Sequence, residues 1–393
     1  MTPAAPLGHH VRAHAADPAE LRNDLRAWLA EQGDTFASAR ATAEPVAIEA
    51  VMAADLRLQR ALWDAGFTRH GWPASVGGVG GTAVLRAAVY EELVKAGYRI
   101  SLAMLTVETL GPAMVAFAPA LSERYLPACL RGDEVWCQGF SEPDAGSDLA
   151  SLRCRAVQTA NGFEVSGQKV WSSLGSMSQR AALLVRTGGP GHRGISMLLV
   201  DLDAPGCVVR PIRASSGRNE FAELFFDATP VAADRVVGAL NGGWDVAMAL
   251  LQWERGMYAW QRQAVLHAQL ASAVGAADDL DAPTERAVAD AWVQLTALRS
   301  VAARTVRRLA AGENPGPEIS VDKILLATTE QAVLNVRRRL DRVGFVLGDT
   351  DDDERHRAEW FYSRMASIYG GSIEIQRSII AERVLGLPRA GAR

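Results

Sequence analysis

At 393 residues the chain is long enough to bury a large core, and its length suggests two or three domains rather than one. The balance of 41 basic against 45 acidic residues, a net of −4, gives no broad attraction to phosphate backbones or anionic membranes, so nucleic acid is not an expected partner. The four cysteines, Cys129, Cys137, Cys154 and Cys207, form neither a CxxC pair nor a disulfide-rich cluster, and read as buried thiols of a reducing compartment, with no metal site expected.

The first residues, MTPAAPLGHHVRAHAADPAEL, are polar and charged where an export signal needs an apolar stretch, so a cytoplasmic protein is expected. From Asp17 to Arg131 apolar residues recur at helical spacing, as in LRNDLRAWL and LRAAVYEELVKAG. The most apolar stretch, Ile100 to Leu121, contains Glu108 and a Gly111-Pro112 break, which predicts two buried helices and no membrane span. Between Gly132 and Leu240 the texture changes to short β-rich runs, FEVSGQKVW, AALLVRT, ISMLLVDL, CVVRPI and AELFFD, divided by turn residues. After Gly242-Gly243 the helical period returns in long segments that predict a bundle, with a further break at Gly370-Gly371. Asp351 to Glu354 read as a solvated acidic loop. The expectation is an α+β chain of three domains: an N-terminal helical domain at 1–131, a middle β domain at 132–240, and a C-terminal helical bundle at 241–393.

FSEPDAGSD, from Phe140 to Asp148, follows a predicted strand, and its Gly146, Ser147 and successive backbone N–H groups suit an anionic or flavin ligand. Taken alone, an Asx-rich turn explains it equally well. GQKVWSSLG follows about 20 residues later, with the ring of Trp171 and the hydroxyls of Ser172 and Ser173; a lone tryptophan is more often core than cofactor contact. Together the two segments resemble the flavin-binding signature of the acyl-CoA dehydrogenase family. GWPASVGGVGG, NEFAELFFDATPV, GGWDVAMALLQWERG and IYGGSIEIQRSIIAERVLGLPR are similar to further family segments in the same order, so the resemblance spans nearly the whole chain.

The resemblance implies a β domain between two helical domains, a bound FAD, and α,β-dehydrogenation of an acyl thioester, in which the α proton is removed and the β hydride passes to flavin N5. By motif position it implies that Gln138, Phe140, Ser141, Gly146, Ser147, Trp171 and Ser173 line the flavin, with Ser147 also near the thioester. Ser372, Ile373 and Glu374 are implied to meet the flavin from the other side. Gln252, Trp253, Arg255 and Gly371 are implied beside the substrate, Gly371 by presenting its N–H to the thioester carbonyl.

Many members of the family carry a catalytic glutamate after the tyrosine of the last motif, where this chain has Gly370. A subset similar to isovaleryl-CoA dehydrogenase carries its base on the first bundle helix, in a segment ending Glu-Arg; here that pair is Glu254-Arg255. Ala247, Leu250, Leu251, Glu254, Tyr258 and Gln261 share one face at helical spacing, so Glu254 is expected on an apolar face, where desolvation strengthens a carboxylate as a base. The plainer alternative is that Glu254 pairs with a basic neighbour. The rings of Trp244, Trp253, Tyr258 and Trp260 flank this position, mostly as core.

Two departures stand out: GAADDLDAPTERAV replaces an expected Arg-x-Phe-Gly segment, and DRVGFVLG has no Gly-Gly pair. Both bear on how the adenosine end of FAD is held and on assembly, expected as a homodimer or homotetramer with a hetero-oligomer as the alternative. The expected partners are acyl-CoA or acyl-carrier-protein substrate and an electron-transferring flavoprotein. Competing readings are a flavin oxidase or monooxygenase of the same fold, and a non-catalytic subunit of a mixed assembly.

Overall fold

The computed structural model describes residues 17–43, 47–277 and 279–389. Residues 1–16, which hold most of the polar N-terminal segment, and Asp278 within GAADDLDAPTERAV lie outside the described residues. The chain divides into two compact units. Residues 47–52 and 101–251 form one; the segments up to Val46, Ala53–Ile100 and Gln252–Arg393 form the other.

In the first unit two helices, Leu102–Phe117 and Pro119–Arg131, precede an eight-stranded sheet. Its strands are β1 (Trp136–Gly139), β2 (Arg155–Thr159), β3 (Gly162–Ser173), β4 (Arg180–Arg186), β5 (Ile195–Asp201), β6 (Cys207–Ile212), β7 (Phe221–Ala232) and β8 (Val236–Val237). The order is β6-β7-β3-β2-β4-β5-β8, with β1 running parallel beside β4. β4 and β5 are buried along nearly their whole length, which is why Ala181–Val185 and Met197–Val200 are continuously apolar rather than alternating. Val165, Leu183, Leu198, Val200 and Leu224 form the centre of the core, and each such side chain contributes about 1.5–3 kcal/mol by leaving water.

The expected break at Gly111-Pro112 does not form: a single helix runs from Leu102 to Phe117 through Pro112. Proline there costs about 3 kcal/mol, and burial of Met104, Val107, Leu110 and Met114 on the same helix offsets it. The chain breaks instead at Ala118-Pro119, where proline opens the next helix at a position that needs no N–H donor. Among the described residues no helix is long and apolar enough to cross a membrane. None of the four cysteines forms a disulfide; Cys129, Cys137 and Cys154 are buried, but Cys207 is only half-buried because it opens β6, an edge strand.

In the second unit the N-terminal helix Ala83–Lys95 packs on the long helices Ala259–Gly275 and Ala282–Ala310, and Ser320–Leu340 completes the bundle. Leu266, Leu270, Leu295 and Val333 are buried between these helices. Polar contacts fix the register: Trp260 Nε1 donates to Ala87 O at 2.8 Å, and Arg299 pairs with Glu91. The acidic run Asp351 to Glu354 is not a loop. It is the first turn of helix Asp351–Ser363, closed by a capping box between Thr350 and Asp353, because carboxylates there complement unpaired N–H groups and the helix dipole.

Candidate active site

In the first unit FSEPDAGSD leaves β1 and closes a tight turn, with Glu142 N donating to Ala145 O at 2.9 Å and Ala145 N to Glu142 O at 3.1 Å. A buried ion pair, which the sequence reading missed, holds that turn. Lys169, fully buried on β3, donates to Glu142 Oε1 at 2.7 Å and to Phe140 O at 3.1 Å. The Glu142 carboxylate also accepts from Arg153 N at 2.7 Å and Cys154 N at 2.9 Å. Three donors on one carboxylate meet the condition under which a buried pair is tolerated. Burial pulls the Lys169 pKa below the usual lysine range, against the opposing pull of Cys154 and Glu142. Ser141 O accepts from Val170 N at 2.9 Å, so FSEPDAGSD and GQKVWSSLG form one construction. The signal was a lysine in the middle of a β-rich run, FEVSGQKVW.

Just past Lys169, β3 bulges: its register against β7 shifts between Lys169 and Ser172. Trp171 takes φ 62° and Leu174 φ 61°, left-handed conformations that are costly for large side chains and are kept mostly where function demands them. The result is an indole 56% exposed, with Phe221 edge-on at 6.0 Å. Ser147 and Ser173 are exposed, and Gly146 has open space where a Cβ would project. Gln138, half-buried on β1, donates to Thr109 Oγ1 at 3.1 Å. This unit thus holds Gln138, Phe140, Ser141, Gly146, Ser147, Trp171 and Ser173. An outward-turned aromatic face with hydroxyls and an open glycine fits a flat heteroaromatic cofactor.

The second unit holds the remaining predicted residues. Helix Gly243–Trp253 passes into a π turn at Glu254–Tyr258 before helix Ala259–Gly275. The π turn adds a residue and breaks the even spacing expected from Ala247 to Gln261. Gly256 sits at its centre, where a Cβ would lie 2.9 Å from both Leu309 and Thr305 side chains. Even so, Glu254 and Tyr258 meet the same segment: the hydroxyls of Tyr258 and Tyr369 are 3.0 Å apart, and a Cβ on Gly370 would lie 2.8 Å from Glu254 Oε1. The two base positions weighed from the sequence therefore converge on one point.

Gly370 and Gly371 take φ 63° and 93°, and a Cβ on Gly371 would lie 2.2 Å from Gln376 Nε2, so both need glycine. Arg255 is half-buried; desolvation lowers its pKa and Glu254 opposes that shift. Gln252 and Trp253 are half-buried in the preceding turn, and Gln252 Oε1 has no hydrogen-bond partner among the described residues. Ser372 caps helix Ile373–Ile379, Ile373 is half-buried, and Glu374 is exposed in the first turn. Of the flanking rings, Trp260 is core and Trp244 lies 6.0 Å from His192 within the first unit. Lys323, Tyr369 and Gln376 are further side chains at this turn that sequence reasoning did not single out.

Comparison with known proteins gives three family-model matches: acyl-CoA dehydrogenase N-terminal domain at residues 18–133, middle domain at 137–229 and C-terminal domain at 241–385. The acyl-CoA dehydrogenase IpdE1 of Mycobacterium tuberculosis is 39% identical over 382 residues, covering 95% of this chain and 98% of that protein. A solved structure described as the Tcur3481-Tcur3483 steroid ACAD superposes with a TM-score of 0.82 at 26% identity, covering 96% of this chain and 99% of that one. The ChsE4-ChsE5 complex from Mycobacterium tuberculosis gives 0.77 at 25% identity, covering 95% and 98%.

Proposed function

Because the chain belongs to the acyl-CoA dehydrogenase family, flavoprotein oxidoreductases acting on CH–CH bonds, we propose that it desaturates an acyl thioester at the α,β position with FAD as cofactor and Glu254 as base. The observation that carries this reading is the Glu254 carboxylate lying against the side-chain-free face of Gly370. A carboxylate there is held by a helix on one side and a two-glycine turn on the other, and accepts the α proton. Gly371 offers its backbone N–H to the thioester carbonyl, acidifying that proton. Gln252, Trp253 and Arg255 border the acyl group. In the first unit Gln138, Phe140, Ser141, Gly146, Ser147, Trp171 and Ser173 hold the cofactor; Ser372, Ile373 and Glu374 of the second unit are assigned as cofactor contacts by motif position alone. Bound FAD supplies the acceptor for the β hydride, and an electron-transferring flavoprotein takes the electrons onward.

The test is a thioester panel, carried on coenzyme A and on carrier protein, scored by bleaching of the flavin spectrum. A steroid-derived acyl thioester belongs in the panel because a similar structure is described as a steroid ACAD. Glu254→Gln is expected to lose about 10² to 10⁴ in rate. Full activity in that variant sinks the base assignment, and peroxide formed at the rate of turnover replaces dehydrogenation by an oxidase reading.

Assembly with an unlike chain is a second reading, favoured by the apolar side chains of Val343, Val346 and Leu347, each more than 70% exposed on one short helix, and by the similar ChsE4-ChsE5 complex. Mass measurement after co-expression with a neighbouring homologue distinguishes it from a homodimer or homotetramer.

A further inference from the structure

The chain draws almost all its cations from arginine: of 41 basic residues only Lys95, Lys169 and Lys323 are lysines. Two of the three are buried, Lys169 under the Phe140–Asp148 turn and Lys323 under the Tyr369–Gly371 turn. We propose that Lys323 is a positioning residue for Glu254, holding the glycine turn in place and keeping the neighbouring carboxylate ionised. The inference rests on the assignment of Glu254 as base.

A Cβ on Gly370 would lie 2.8 Å from Glu254 Oε1 and 3.4 Å from Lys323 Cε. The carboxylate oxygen therefore lies no more than about 6 Å from Lys323 Cε, and Glu254 acts electrostatically on the ammonium that Cε carries, as an opposite charge that favours the ionised acid in return. The ammonium is anchored. It donates to Ala366 O at 2.5 Å and lies 4.1 Å over the ring of Tyr369, whose hydroxyl is 3.0 Å from that of Tyr258. Its attachment points thus lead straight into Gly370, so one side chain both fixes the turn and sets its charge. The charged groups acting on Lys323 are Glu254 and Glu330, which favour the ammonium, and Arg255, which opposes it. Glu330 is already engaged by Arg262 at 2.7 Å. Burial brings Lys323 down to about 8, which leaves it charged at neutral pH. A fixed cation favours the ionised form of a nearby carboxylate; Lys323 supplies one beside Glu254, in addition to Arg255 on the same turn.

The experiment measures kcat/KM against pH for wild type, Lys323→Met, Lys323→Gln and Lys323→Arg, alongside Glu254→Gln. In both neutral variants the acidic limb is expected to move up by about one pH unit, a tenfold loss on that limb that closes at higher pH, while arginine restores the limb. A loss of equal size at every pH, with the limb unmoved, overturns the proposal. An independent reading uses ¹³Cε-labelled lysine, which gives only three signals. The Lys323 titration midpoint is expected to fall by about one pH unit in Glu254→Gln, because the coupling is reciprocal. An unchanged midpoint overturns the proposal even where the Lys323 variants fail to fold. Full activity of Glu254→Gln together with a shifted midpoint instead refutes the base assignment and leaves the coupling standing.

Discussion

Gly370→Ala separates the geometry of the proposed base, Glu254, from the stability of the turn beside it. The added Cβ would sit 2.8 Å from Glu254 Oε1, and ordinary contact begins near 3.4 Å, so the carboxylate must retreat by about 0.6 Å or the turn must open. The left-handed φ of 63° adds about 1–2 kcal/mol of backbone strain. A misplacement of 1 Å costs up to 10²-fold in rate, so a retreat of this size is expected to lower kcat about tenfold. Gly312→Ala is the control: at φ 77° it carries comparable strain, and no atom lies within 4 Å of the added Cβ. The two variants should melt at similar temperatures and retain similar flavin content, with turnover reduced only in Gly370→Ala. Equal turnover in the two, measured by flavin reduction with the best thioester of the panel, refutes the placement of Glu254 against this glycine.

Lys169→Met strands the buried Glu142 carboxylate and is expected to cost about 3–5 kcal/mol in urea unfolding and to lower flavin occupancy, whereas pairing it with Glu142→Gln recovers much of the loss; equal costs for single and double variants refute the pairing. Burial pushes Asp322 up to about 6 from an ordinary value of 3.8, so the native state holds its proton the more tightly, and the stability it contributes is present below the unfolded value and lost as pH rises through 6. Asp322→Asn, which preserves an acceptor for the Thr305 hydroxyl, is therefore expected to match wild type near pH 4 and to exceed it by about 2–3 kcal/mol at pH 7. Thr350→Ala removes the cap of helix Asp351–Ser363 and is expected to cost about 1 kcal/mol, read by urea unfolding at constant m value.

Much of the architecture was legible because burial writes itself into composition over short distances. β4 and β5 are apolar at every buried position but Ser196, and the long bundle helices repeat at their natural period. The misreadings have local causes. A run of four acids looks solvated unless the threonine before it is recognised as the N-cap of a capping box, its hydroxyl accepting from Asp353 N; Thr350-x-x-Asp353 was that signal. Gly111-Pro112 looks like a break because propensity carries no account of the apolar surface that a continuous helix buries.

The site was legible in a different and more limited way. Lys169 and Glu142 lie on separate motifs, and pairing them requires knowing that β1 and β3 come together, which no spacing rule states. The π turn at Glu254–Tyr258 is likewise invisible to a test built on a period of 3.6, although Gly256, set among large side chains where Thr305 and Leu309 press closest, was its one clue. Glu254 was reached through the resemblance to the family's subset that carries its base on the first bundle helix, and Gly370 fits that subset in having no side chain to serve as a base. The geometry gives that resemblance a physical counterpart: a Cβ at 370 would lie 2.8 Å from Glu254 Oε1, and the left-handed φ of 63° also favours glycine, so the Glu254 carboxylate lies where a side chain at 370 would crowd it.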